Sequence, residues 1–258
     1  MASTTKELPR KDRIDVLGSL ISDCDSEMAF EKIASCMEAG DGGYICFTNA
    51  HTAVEGCRNR DFQNVTNQSL LSLADGSPVF WVARLRGGER VAHLPGPDFM
   101  LQALQRYPER RHFFLGSRPE VLSALTQTLT SKIPSLNVVG SFSPPFRPLT
   151  DQENEDMLAH IVSTRAEFVW IGLGAPKQEL WMGRVSQMLK PAILLGVGAA
   201  FDFHAGEIKR APKWIRRLGL EWLFRLAQEP RRLWRRYLIT NSLFVYFFLR
   251  DQYRAWFR

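Results

Sequence analysis

Phe168-Val169-Trp170-Ile171-Gly172-Leu173-Gly174-Ala175-Pro176-Lys177-Gln178-Glu179 passes from an apolar run through a glycine loop into a polar helix opening. A short apolar run closed by glycine reads as a buried parallel strand, and Lys177 to Leu189 continues with helical spacing. Working outward, the same strand pattern recurs at Tyr44 to Phe47, His112 to Leu115 and Ala192 to Val197. Helical spacing recurs at Ser26 to Met37, Pro119 to Ser131 and Asp151 to Ser163. Alternation of this kind predicts an α/β fold, a doubly wound Rossmann-like sheet. Ligands of such sheets bind outside the carboxyl ends of the strands, where Gly116-Ser117 and Gly172-Leu173-Gly174 fall.

With 258 residues and 45% apolar content, the chain is long enough for one large domain with an appendage. Its beginning lacks the pattern of a secretory signal, which places the bulk of the chain in the cytoplasm. Cys24, Cys36, Cys46 and Cys57 match no zinc or disulfide spacing and read as reduced thiols. Charge is uneven. From Glu207 onward there are 13 Lys and Arg against 4 Asp and Glu, whereas the preceding 206 residues carry 20 against 23. That shift marks the expected boundary between a catalytic α/β domain, 1–206, and a basic, mainly helical appendage, 207–258. Such a tail suits an anionic partner, either phospholipid head groups or nucleic acid. Its best apolar stretch, Leu238 to Leu249, is too short to span a bilayer and is interrupted by Thr240, Asn241 and Ser242.

Three constellations carry candidate chemistry. In Gly172-Leu173-Gly174-Ala175-Pro176-Lys177-Gln178-Glu179, glycines let the backbone approach a phosphate, Pro176 suits a first helical turn, and the polar residues exceed what packing needs. Lys177 stands where a dinucleotide fingerprint has its third glycine, which weighs against a nicotinamide enzyme. In Gly196-Val197-Gly198-Ala199-Ala200-Phe201-Asp202-Phe203-His204, small residues after a strand leave space; Asp202 and His204 suit a base or ribose, and Arg210 suits a diphosphate. In Ala74-Asp75-Gly76-Ser77-Pro78, an acidic turn precedes an apolar run; from the residues alone an ordinary turn is the favoured reading and the seat of a general base the alternative, with Arg84 nine residues on. Asp23-Cys24-Asp25 looks like a metal-binding Asp-x-Asp but directly precedes a helix, and capping is the favoured reading. The histidines show no paired metal spacing, and neither a Gly-x-Ser-x-Gly elbow nor a Walker loop occurs.

In order along the chain, Thr48-Asn49, Ala74-Asp75-Gly76, Leu94-Pro95-Gly96-Pro97-Asp98, Gly174-Ala175-Pro176-Lys177-Gln178-Glu179, Gly196 to Asp202 and Arg210-Ala211-Pro212-Lys213-Trp214 resemble the WecG/TagA/CpsF family, glycosyltransferase family 26. The resemblance continues through Gly219-Leu220-Glu221-Trp222-Leu223 and Glu229-Pro230-Arg231-Arg232. It implies an inverting, metal-independent transferase without a cofactor, using a UDP-sugar donor and a polyprenyl-diphosphate-linked sugar acceptor in cell-surface polysaccharide synthesis. By the same resemblance Asp75 is the candidate base, with Thr48 beside it; the family has Thr-x-Asn where this chain has Thr48 and Asn49 adjacent. Asn49, Arg84, Gly174, Pro176, Lys177, Gln178, Glu179, Asp202 and Arg210 are the expected substrate-binding set, and no metal ligands are expected.

The basic tail then matches a membrane-docking appendage on the inner face of the cell membrane. As a helix from Arg231, it places Arg231, Arg232, Arg235 and Arg236 on one arc and Leu233, Trp234, Tyr237, Leu238, Phe244 and Phe248 on the other. Later apolar residues spread around the helix and suit packing on the catalytic domain or on a second copy of the chain. A nucleic-acid-binding protein using the arginines is the alternative, although aromatic residues interleaved with arginine suit a lipid interface equally, and no nucleic-acid partner is expected.

Overall fold

The computed structural model describes residues 12–256. A hairpin of β1 (Arg13–Val16) and β2 (Ser19–Ser22) leads into α1 (Ser26–Glu38) and β3 (Gly43–Thr48). Then follow α2 (Ala50–Arg58), α3 (Arg60–Asn67), β4 (Leu71–Ala74), α4 (Ser77–Leu85), α5 (Gly96–Arg106), β5 (His112–Gly116), α6 (Pro119–Lys132) and β6 (Val138–Phe142). The remainder is α7 (Asp151–Ser163), β7 (Phe168–Gly172), α8 (Lys177–Val185), β8 (Ile193–Gly196), α9 (Ala200–Ala205), α10 (Lys213–Arg217), α11 (Glu221–Gln228) and α12 (Pro230–Trp256). Six strands form one parallel sheet in the order β4-β3-β8-β7-β5-β6, so the α/β, Rossmann-like reading is correct.

Each central strand is apolar on both faces, because helices cover both. Tyr44 and Cys46 of β3 join Val169 and Ile171 of β7 on the face packed by α7 and α8. The alternate residues Ile45, Phe47, Phe168 and Trp170 pack on the other face against α1, α5 and α6. His112 belongs to that second layer. Its Nε2 donates to Tyr107 O at 2.8 Å, its Nδ1 accepts from Trp170 Nε1 at 3.2 Å, and burial pushes it down to about 4.

The four unrecognised strands, β1, β2, β4 and β6, have their apolar residues interrupted or flanked by Arg13 and Asp15, Ser19 and Ser22, Ser72, and Gly140 and Ser141, so none presents a continuous apolar run. A third cluster joins Ala50, Ala53 and Val54 of α2 to Val79, Val82 and Ala83 of α4, and Phe244 of α12 completes it. Of the apolar arc expected along the tail, Leu233 and Phe244 therefore face the protein, while Trp234 and Leu238 remain exposed. An ion pair from Arg86 to Asp251 fixes the far end of α12.

Candidate active site

All six strands of the main sheet run parallel, so their carboxyl ends and following loops share one edge. The pairing of Thr48 with Ala74 makes Asn49 and Asp75 leave the sheet side by side. Asn49 is the N-cap of α2: its Oδ1 accepts from His51 N at 3.0 Å and Thr52 N at 3.3 Å. Its Nδ2 is left to donate to Asp75 Oδ2 at 3.0 Å, and Gly96 N, at the start of α5, donates to Asp75 Oδ1 at 2.8 Å. One donor on each carboxylate oxygen fixes the group in place and leaves lone pairs free for another hydrogen. Such proximity requires glycine at position 76, where a Cβ would lie 2.9 Å from Asn49 Cβ. The Thr48 hydroxyl is buried and bonds Ser72 Oγ at 2.8 Å, beneath the strand ends.

His93 is a neighbour that the sequence reading passed over. Its Nε2 lies 2.7 Å from Asp75 O; a carbonyl only accepts, so Nε2 carries the proton. Nothing in its spacing distinguishes it from a loop histidine.

Between β7 and β8, Gly174 adopts the left-handed conformation with open space around it, and Lys177 is exposed. Pro176 is the N-cap of α8, preceded by a cis peptide bond, one position earlier than the first-turn place expected for it. Gln178 and Glu179 are buried and bonded to each other at 2.9 Å, and burial pushes the Glu179 carboxyl up to about 7. Gly196, at the end of β8, accepts from Gln178 Nε2 at 2.7 Å. Burial also raises Asp202, on α9, against the opposing charges of Arg225 and Arg232.

Cationic residues divide by position. Arg210 forks onto Asp98 at 2.5 and 2.8 Å and also meets Glu221 at 3.1 Å, while Arg216 reaches the same Asp98. Burial raises the Asp98 carboxyl, but Arg210 and then Arg216 outweigh it and hold it below the usual range. Arg210 is thus committed to two carboxylates that tie α5 to α11. Arg84 is exposed near the far end of α4, about 10 Å along the helix from its start at Ser77 at about 1.5 Å per residue, and donates to Glu89 O. Arginine charge reaches the strand-end region from Arg236, which after burial lowers His51, and from Arg225, Arg232 and Arg118, which act on Asp202 against its burial. Arg225, unmarked in the sequence, stacks on Phe203 at 5.4 Å.

Asp25 caps α1 by accepting from Met28 N at 2.9 Å, as favoured from sequence; Asp23 Oδ1 accepts from Arg90 N and Val91 N at 2.8 and 2.7 Å. A hollow between α6 and β6, lined by Ser123, Thr126, Ser141 and Ser143, lies at the opposite edge of the sheet from Asp75 and has no charged lining residue.

Residues 14–258 match the family described as Glycosyl transferase WecG/TagA/CpsF family. A protein of Bacillus subtilis (strain 168), named N-acetylglucosaminyldiphosphoundecaprenol N-acetyl-beta-D-mannosaminyltransferase, is 28% identical over 199 residues, 76% of this chain and 75% of that protein. A protein of the same name from Bacillus spizizenii is 27% identical over 204 residues, covering 78% and 77%.

Proposed function

Because this chain belongs to the WecG/TagA/CpsF family of glycosyl transferases, we propose that it moves a sugar, with inversion, from a UDP-sugar to a polyprenyl-diphosphate-linked sugar at the membrane surface. The names of the two Bacillus relatives favour N-acetylmannosamine as the sugar transferred and lipid-linked N-acetylglucosamine as its acceptor. The observation that carries the reading is the Asp75 carboxylate, held at the strand ends by donors from two different elements.

In the proposed step Asp75 takes the proton of the acceptor hydroxyl as that oxygen bonds the anomeric carbon from the face opposite the diphosphate. The bond from carbon to the diphosphate oxygen breaks, and the electron pair leaves on UDP. A positioned base contributes about 10²- to 10⁴-fold. Leaving-group charge is met by cationic side chains, for which the candidates are Arg236, whose charge acts on His51, and Arg225 and Arg232, which share Glu229 and act on Asp202; such preorganised charge is often the largest single contribution to catalysis.

Among the described residues no helix is long and apolar enough to cross a membrane. Trp214, Leu218, Trp222 and Leu223 of the α10–α11 region are exposed, as are Leu238, Ile239, Tyr246 and Leu249 of α12. Exposed apolar surface rimmed by arginine suits the interface of an anionic bilayer. The reading is tested by offering UDP-sugars with a short-chain lipid-diphosphate N-acetylglucosamine and weighing the product by mass spectrometry. A product heavier by one sugar residue is expected, and no transfer from any donor sinks the proposal.

A further inference from the structure

Gln178 and Glu179 open α8 with their side chains turned inward, 4% and 1% exposed. The Gln178 nitrogen has two acceptors, Gly196 O at 2.7 Å and Glu179 Oε1 at 2.9 Å. The oxygen and nitrogen of an amide are nearly alike in shape, so hydrogen bonding decides which way the group faces. A main-chain carbonyl and a carboxylate oxygen both accept, so the nitrogen must face them. Gln178 Oε1 is then left buried with no hydrogen-bond partner among the described residues, on the side of Gly198. A buried acceptor without a donor is costly, unless a ligand brings one. Glycine at 196 makes the arrangement possible, since a Cβ there would come 3.1 Å from Gln178 Nε2 and 2.6 Å from Met182 Cε. Glu179 Oε2 is also buried without a partner, so Gln178 is the one side chain to which Glu179 is hydrogen-bonded among the described residues.

Resting on the donor-site reading above, we propose that Glu179 is a positioning residue, holding the Gln178 amide so that its oxygen accepts from an N–H group of the sugar nucleotide. Two groups of such a ligand carry that chemistry: the imide N–H of uracil and the acylamino N–H of a 2-acetamido sugar. Gln178 touches the ligand; Glu179 acts only through Gln178.

The test is calorimetry with UDP, N3-methyl-UDP, UDP-N-acetylmannosamine and UDP-mannose on the wild type, Gln178→Ala, Glu179→Leu, Glu179→Gln and the Gln178→Ala/Glu179→Leu double variant. Glu179→Leu should weaken binding about tenfold, the loss expected for one misplaced hydrogen bond, whereas Glu179→Gln, whose amide oxygen still accepts, should stay close to wild type. In the double variant the second substitution should add nothing to the first, because neighbours acting as one unit are not additive. If uracil is the source, N3-methyl-UDP binds the wild type as weakly as UDP binds Gln178→Ala. If the sugar is the source, UDP affinity is unchanged throughout, and the preference for UDP-N-acetylmannosamine over UDP-mannose disappears in Gln178→Ala. Thermal unfolding confirms that each variant folds, and Glu179→Met stands in if Glu179→Leu does not. Additive losses, or a Glu179→Gln as weak as Glu179→Leu, overturn the positioning role. Ligand-binding wild type with all variants alike also overturns it while leaving the proposed function standing; a wild type that binds no uridine nucleotide defeats the proposed function instead.

Discussion

At Asp75, orientation comes from two neighbours that the sequence separates by 47 positions, Asn49 and Gly96. Asp75→Asn offers the same two acceptor contacts through one oxygen at most and cannot take a proton. Turnover should fall about 10²- to 10⁴-fold with UDP affinity nearly unchanged, as measured by initial rates and calorimetry; near-normal turnover removes Asp75 from the role of base. The acidic turn was legible as a motif, but its donors were not, because they arrive from elements that only the fold brings together. His112 gives a residue-scale prediction about stability. Its folded value of about 4 lies below its ordinary 6.5, so the unfolded chain binds the proton more readily as the pH falls. The stability contribution is present above about 6.5 and lost on descending toward 4. Urea unfolding between pH 7.5 and 4.5 should show wild type losing about 1.4 kcal/mol per pH unit more than His112→Phe within that window. Equal slopes would exclude His112 as the source.

At the scale of the element, α12 shows how a helix can be read correctly as amphipathic and still be turned the wrong way. Leu233, Thr240 and Phe244 are buried, and the 3.6-residue period then sets Arg231 and Arg235 on the outermost side with Leu238, Tyr246 and Leu249. Arg232 and Arg236 lie nearer the protein, paired with Glu229 at 2.7 Å or close enough to lower His51. Sequence periodicity could group the four arginines but not divide them, since it contains no information on which face meets α2. Each basic residue at an anionic leaflet contributes about 1 kcal/mol, so Arg231→Glu with Arg235→Glu should weaken vesicle binding strongly while UDP affinity stays as in the wild type. Arg232→Ala with Arg236→Ala should do the reverse, weakening UDP more than vesicle binding. Flotation assays beside calorimetry decide it, and two variant pairs behaving alike would reject the division.

For the molecule as a whole, the sheet was legible because its central strands are continuous apolar runs bounded at one end by glycine, while the order β4-β3-β8-β7-β5-β6 was not, being set by helix packing on both faces. With Asp23 and Asp25 bonded to main-chain N–H groups, and arginine charge directed at the strand-end region, transfer should survive excess EDTA. Complete loss of activity, restored by manganese or magnesium, would assign those carboxylates to a metal after all. The strand order also has a bearing on biosynthesis. β3, residues 43–48, has as its inner partner β8, residues 193–196, so the half of the sheet carrying Asn49 and Asp75 joins the half carrying Gln178 only when the chain is three-quarters made. At about 5 to 20 residues per second, the ribosome leaves the apolar faces of β3 and β4 waiting on the order of ten seconds or more. Long-range parallel pairing is slow in any case. During that interval the exposed apolar faces are open to misassociation, and the edge of strand ends is complete only after β8 has slid between β3 and β7.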